Sequence, residues 1–296
     1  MVPDKARGRL AYTALIVGVL AVSSAAILIR LADAPALAVA FWRCTLGVAV
    51  LAPFAAVRRE PLPKGRPLLL LVVSGVLLGA HFGLWISSLD YTSVAASVVL
   101  VCTIPIFVAI PAYLFLGEKT SPVSVVGILV AIVGSVIIAG DGSVGSAALL
   151  GNVLAVLGAI TVAAHLLIGR FSRTGGLGVV NYSVIVYASA ALTLLPVALL
   201  SGDRLWGYSG ETWFFLGAIT LGPQILGHTV LNWALRYIET SVISGSVLAE
   251  PVIAAGLAWL ILSEKPGLPT VLGGGVVLAG LFLLLRGRRE TEELPG

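Results

Sequence analysis

Charge is what this sequence lacks most. Only 11% of its 296 residues are Asp, Glu, Lys or Arg and 58% are hydrophobic, where an ordinary soluble domain has roughly 25% and 45–50%. Eighteen Lys plus Arg and fourteen Asp plus Glu cannot furnish a water-facing surface, which normally carries ~25–35% charged residues. The mean hydropathy of +1.07 agrees. Cysteine is nearly missing too: Cys44 and Cys102 both lie inside apolar runs, which leaves a disulfide framework or a CxxC metal site without support. The three His residues fall on three different runs without HxxxH spacing, so neither a metal nor a cofactor is expected. Signatures of the GxSxG, HExxH or paired-Asp kind are missing as well, which argues against an enzyme. Nor do the apolar runs show the ~10-residue alternation of barrel strands.

What is present is a series of long apolar runs. They cover, within a few residues each, 10–30, 36–57, 67–89, 92–116, 122–140, 147–169, 178–200, 212–235, 240–262 and 268–285. At 1.5 Å per residue, runs of about 18 to 25 residues are ~27–38 Å long, enough to cross a ~30 Å hydrocarbon layer. These are spans 1 to 10 of an expected all-α integral membrane protein. Val22 to Ala26 offers the small residues of a signal-peptide cleavage site after Lys5, Arg7 and Arg9, but the run continues through Ile29 to full span length and reads as a retained span.

The net charge of +4 is distributed as topology information and not as a nucleic-acid surface. Counted over alternate connections, one side holds Lys5, Arg7, Arg9, Arg58, Arg59, Lys64, Arg66, Lys119, Arg170, Arg173, Arg236, Arg286, Arg288 and Arg289. The other side holds Arg30, Arg204 and Lys265, and Arg43 lies inside span 2. The positive-inside rule puts the rich side and both termini in the cytoplasm, in a multi-pass inner-membrane protein.

The chain also repeats itself. An offset of 146 aligns Leu89, Tyr91, Pro105, Leu116, Glu118, Lys119, Gly127 and Gly134 with Leu235, Tyr237, Pro251, Leu262, Glu264, Lys265, Gly273 and Gly280. With small gaps, Pro53 pairs with Pro196 and His81 with His228. The unit is five helices, residues 1–140 and then 141–296. Because five is odd, the second copy enters from the opposite side, which makes a 5+5 inverted-topology repeat. Two pseudo-equivalent halves suit alternating access, since each can seal one face around a midplane site.

Phe41–Trp42–Arg43, Ile104–Pro105–Ile106–Phe107, Leu116–Gly117–Glu118–Lys119, Leu248–Ala249–Glu250–Pro251–Val252 and Leu262–Ser263–Glu264–Lys265 resemble the drug/metabolite transporter superfamily and its EamA branch. The resemblance covers nearly the whole chain. It implies ten helices, a 5+5 inverted repeat and movement of small metabolites, and it is similar to bacterial amino-acid exporters. The pattern spans many substrates.

Polar side chains inside the spans are the candidate site, because charge at bilayer depth costs ~2.5–3.5 kcal/mol and normally faces a cavity or a partner. Arg43 and Glu250 lie roughly 10 and 18 Å from the outer ends of their spans at 1.5 Å per residue. They read either as a structural ion pair or as a substrate-ammonium or proton site, Glu250, with a counter-charge or carboxylate anchor, Arg43. Gln224, His228 and Asn232 recur at i, i+4 and i+8, one face of an α-helix that lipid cannot satisfy. Gly75, Gly79 and Gly83 form a packing ridge, with His81 and Trp85 on the opposite face. His165 with Thr161, and Tyr187 among the intramembrane aromatics, complete the cavity candidates. Trp206 and Trp213 read as interface anchors. Pro105 and Pro251 are candidate gating kinks.

The expectation is a carrier for small polar or amphipathic metabolites, amino acids first among them and aromatic ones included, with the lipid bilayer as its surroundings, protons as a candidate coupling ion and no nucleic-acid partner. An intramembrane enzyme or a passive channel would use the same polar cavity.

Overall fold

The computed structural model describes residues 4–58, 61–118, 120–139, 146–262 and 267–293. Arg59, Lys119, Glu264, Lys265 and the 140/141 boundary between the halves lie outside the described residues, as do the side chains of Lys5, Arg7, Arg9, Arg288 and Arg289.

Among the described residues there are helices and no strands. Nine helical segments are long and apolar enough to cross a membrane, and a tenth apolar helix, Pro122–Ile138, is shorter. Spans 2, 3, 5, 6 and 7 are single helices, Ala36–Arg58, Arg66–Ser88, Pro122–Ala139, Ser146–Thr174 and Val179–Leu200. Span 10 is the helix Leu268–Glu293. Span 1 is two segments, Asp4–Ser23 and Ala25–Leu31.

Spans 4 and 9 are interrupted at matching places. Span 4 consists of Val94–Val101 and Ile104–Leu116. Span 9 consists of Thr240–Ser246, a 3₁₀ turn Val247–Ala249, and Glu250–Leu262. Both half-helices in each span begin 146 residues apart, the repeat offset found in the sequence. Pro105 and Pro251 are the second residues of the later half-helices, positions where a missing N–H costs nothing. The breaks therefore precede the prolines expected to kink the spans.

Spans 5 and 10 cross through glycine. A Cβ on Gly127 would lie 2.6 Å from the carbonyl oxygen of Gly280, and one on Gly134 2.7 Å from that of Gly273. Since 127 maps onto 273 and 134 onto 280, each glycine meets the other's repeat partner. That reciprocal arrangement has the form of a two-fold contact, and it makes the two helices antiparallel, the arrangement that opposite insertion of the halves would give. Span 3 behaves as its ridge predicts: Gly75, Gly79 and Gly83 pack on Val186, Ala190 and Leu194 of span 7, which turns His81 and Trp85 toward the centre.

The basic end of the bundle is stitched by Glu118, just past span 4. Its Oε1 accepts from Arg170 Nε at 2.9 Å and from Thr240 Oγ1 at 3.2 Å, and its Oε2 accepts from the Thr240 backbone N–H at 2.9 Å. Arg170 also donates to the carbonyls of Leu235 and Ile238 at 2.5 and 3.1 Å. One carboxylate thus caps the first half-helix of span 9 and ties it to spans 4, 6 and 8. At the other end Trp42 donates to Leu205 O at 2.7 Å and meets Trp206 and Trp213 edge-on at 5.3 and 4.8 Å. These two tryptophans pack on span 2 as well as lying near the expected interface.

Candidate functional site

A cavity opens at mid-bundle where spans 1, 3, 4, 6, 8 and 9 meet. Its polar lining is His81, Trp85, His228, Asn232 and Glu250, and its apolar lining includes Val22, Ile104, Val162 and Ile243. Its volume is about 50 Å³, well under the roughly 300–1,000 Å³ of small-molecule pockets. Ile104 and Glu250, the first residues of the later half-helices of spans 4 and 9, both line it. Two helix N-termini, which carry partial positive charge, therefore converge on the cavity, one with its own carboxylate.

Two of the polar lining groups, His81 and Glu250, are hydrogen-bonded from behind. His81 Nδ1 donates to Gly158 O at 3.0 Å, which leaves Nε2 as the acceptor of the neutral ring. The His81 ring stacks on Trp85 at 6.0 Å between centroids and meets His228 at 6.2 Å. Gly158 keeps span 6 close enough for this, since a Cβ there would sit 3.3 Å from Trp85 Cβ. Glu250 accepts from Cys102 Sγ at 3.6 Å, across the break in span 4.

Four candidate residues stand outside the lining. His165 is buried against span 3, with Nδ1 2.8 Å from Ser74 Oγ, which in turn lies 3.2 Å from the Tyr182 hydroxyl. Arg43 is fully buried, donates from Nε to Gln224 Oε1 at 2.7 Å, and lays its guanidinium over the Phe82 ring at 3.9 Å. Tyr187 donates to Gln224 O at 3.1 Å and bonds the Thr229 hydroxyl at 2.8 Å. Gly47, one turn along span 2 from Arg43, makes room for both: a Cβ would lie 3.2 Å from Tyr187 and 3.4 Å from Gln224.

Arg43 and Glu250 are not in contact. Among the described residues no carboxylate pairs with Arg43, so the direct ion pair, one of the two readings of these residues, is not formed in this structure. Gln224 and Phe82 occupy the guanidinium instead. Gln224, His228 and Asn232 also fail to share one α-helical face, because Thr220–Thr229 is a π-helix. Pro223 lies inside it, and a proline there withholds the N–H of an ordinary i→i−4 bond. Gln224 accordingly faces spans 2 and 7 while His228 and Asn232 face the cavity.

Phe82, Ser74 and the contact of Cys102 with Glu250 were not singled out from the sequence, whereas Tyr182 stood among the aromatics within the spans. Phe82 follows His81 directly and faces span 2, so the helical phase of span 3 was the available signal.

The EamA-like transporter family model matches residues 9–140 and again 149–286. The chain belongs to the EamA-like transporter family. This member matches the pseudopaline exporter CntI of Pseudomonas aeruginosa at 24% identity over 261 residues, 87% of this chain and 89% of the relative. It matches a probable terminal-alkyne amino-acid exporter of Streptantibioticus cattleyicolor at 27% over 206 residues, 67% of each chain. A crystal structure with TM-score 0.77 and 19% identity covers 95% of this EamA-like chain and 99% of its own, which establishes a shared fold. The protein is thus a multi-pass membrane transporter of the EamA type and not an enzyme, its substrate a small molecule.

Proposed function

We propose that this EamA-like protein exports small amphipathic amino acids and related metabolites across the inner membrane by alternating access of inverted halves 1–140 and 141–296, its basic end in the cytoplasm. The observation that carries this reading is the mid-bundle cavity, where half-helix N-termini from both repeats meet and only one brings a carboxylate. Glu250 takes the solute ammonium group or a coupling proton, His81, Asn232 and His228 hydrogen-bond it, and Trp85 supplies an apolar wall. Arg43, His165, Tyr187 and Gln224 hold those residues from behind, and the breaks before Pro105 and Pro251 supply the hinges. The name of the Streptantibioticus cattleyicolor relative, a probable terminal-alkyne amino-acid exporter, supports the solute class.

Proteoliposomes loaded with unlabelled amino acids and given labelled ones test this directly. The reading expects saturable uptake with counterflow, altered by a pH gradient, and loss of the pH response in Glu250→Gln. Uptake that never saturates and shows no counterflow indicates a channel. A folded Glu250→Gln that transports at the wild-type rate at every pH removes Glu250 from the site.

A further inference from the structure

Arg43 is a charged group whose chemistry the packing leaves unfinished. It is fully buried, its Nε is bonded to Gln224, and among the described residues neither terminal nitrogen has a hydrogen-bond partner. A buried guanidinium with its terminal fork unpaired is costly, because desolvation is offset only when the donors meet an acceptor. The fork is also the edge that binds a carboxylate through two parallel bonds. Fixing Nε on Gln224 sets the guanidinium plane, and Tyr187, bonded to the carbonyl of Gln224, steadies that helix segment.

What stands between this fork and the cavity is Phe82. Its ring carries the guanidinium on one side at 3.9 Å and meets His228, a lining residue, edge-on at 5.0 Å. It also touches the His81 ring at 5.1 Å. Arg43 is therefore one aromatic side chain behind the cavity wall. In this structure the ring lies over the guanidinium. Rotation of the Phe82 ring about its side-chain bonds opens the fork to whatever fills the cavity.

We propose that the terminal edge of Arg43 is a carboxylate subsite shuttered by Phe82, so that the transported solute must carry a carboxylate in addition to the amine offered to Glu250. This rests on the carrier reading for the source of the carboxylate. Among the described residues lining the cavity the acidic alternative is Glu250 itself, which is bonded to Cys102.

The test is a binding measurement on the purified full chain in detergent, by ligand-induced thermal shift, with three probes of one shape: L-phenylalanine, L-phenylalaninamide and 2-phenylethylamine. The amide keeps the outline and removes the negative charge, and the amine removes the group entirely. The expected result is binding of phenylalanine at least about tenfold tighter than the other two, the size of one or two charge-assisted hydrogen bonds. Arg43→Lys, which keeps the charge and loses the fork, is expected to shrink that ratio, and Arg43→Gln to abolish it. Phe82→Leu, which keeps most of the volume and removes the ring face, is expected to tighten phenylalanine by about three- to tenfold with little effect on the amine. Glu250→Gln is expected to preserve the preference for the carboxylate.

Equal binding of all three probes overturns the subsite, as does a preference that survives in Arg43→Gln. A preference lost in Glu250→Gln assigns Arg43 to Glu250 and overturns it too, and unchanged binding in Phe82→Leu overturns the shutter. No shift with any probe also counts against it. Transport of amines and amides at the rate of amino acids leaves the carrier standing without the subsite, whereas carboxylate-dependent binding without transport does the reverse.

Discussion

Replacing Glu118 by Gln probes whether the basic end acts as a gate. The carboxylate accepts from Arg170 Nε and Thr240 Oγ1 at Oε1, and from the Thr240 backbone N–H at Oε2. Thr240 is buried and the Glu118 side chain is 6% exposed. An amide has one acceptor oxygen, so either orientation presents its NH₂ to a donor. If oxygen stays toward Arg170, the buried Thr240 N–H loses its partner, at a cost of about 1–3 kcal/mol. The Arg170 bond also falls from charge-assisted to neutral, costing about 1 kcal/mol more. A total near 3 kcal/mol corresponds to roughly a hundredfold shift toward the form open at that end. Ile243, one turn along span 9 from Thr240 and part of the cavity lining, reports it. In a background with buried Cys44 and Cys102 changed to Ser, an impermeant maleimide applied at the basic face is expected to label Ile243→Cys roughly a hundredfold faster when Glu118→Gln is present. A monodisperse Glu118→Gln protein that labels at the parental rate, even with a lower melting temperature, would show that Glu118 is a staple and not a latch.

Other outcomes follow from the packing and the exposed ends. Gly280→Ala places a Cβ 2.4 Å from Ala131 N and is expected to cost about 1–3 kcal/mol in thermal unfolding; combined with Gly127→Ala, which strains the same crossing, the cost is expected to be well short of additive, and strict additivity refutes the crossing. Asp33 holds φ at 45°, a left-handed turn that favours glycine, so Asp33→Gly is expected to raise the melting temperature slightly and Asp33→Val to lower it by the equivalent of about 1–2 kcal/mol. The Asp90 carboxyl is pushed up by partial burial and then by the charge of Asp203. Its ionised form is therefore disfavoured in the fold, and its contribution is best at low pH and lost as pH rises past the ordinary carboxylate range. Asp90→Asn is expected to be slightly stabilising at neutral pH, by less than about 1 kcal/mol because the group is solvent-screened, with the gain vanishing in acid; a constant offset in melting temperature across pH refutes it.

The spans were legible because bilayer-length apolar runs are a one-dimensional signal, and so was the repeat, whose offset reappears in the paired half-helices of spans 4 and 9. The opposed faces of span 3 followed from helical periodicity, and Gly75 and His81 fell where that periodicity puts them. Span 8 did not, because a π-helix changes the turn on which an i, i+4 argument depends. Which polar groups bond was also hidden: Glu118 with Thr240, or Arg43 with Gln224, joins residues more than a hundred positions apart. Arg43 and Glu250 stood out as charges within spans, yet depth along two helices says nothing about the Phe82 ring lying on the guanidinium.

The matched interruptions of spans 4 and 9 bear on how such a molecule has a preferred direction. If two halves related by a two-fold axis had identical sequences, exchanging their conformations would give back the same molecule, and its two facing forms would have equal free energy. Any bias must then come from positions where the halves differ. At the first residue after each interruption, one half has Ile104 and the other Glu250, both on the cavity wall. On the alternating-access reading proposed above, that mismatch, an uncharged side chain opposite an ionisable one, is a place where solute or proton occupancy would weigh on one half alone.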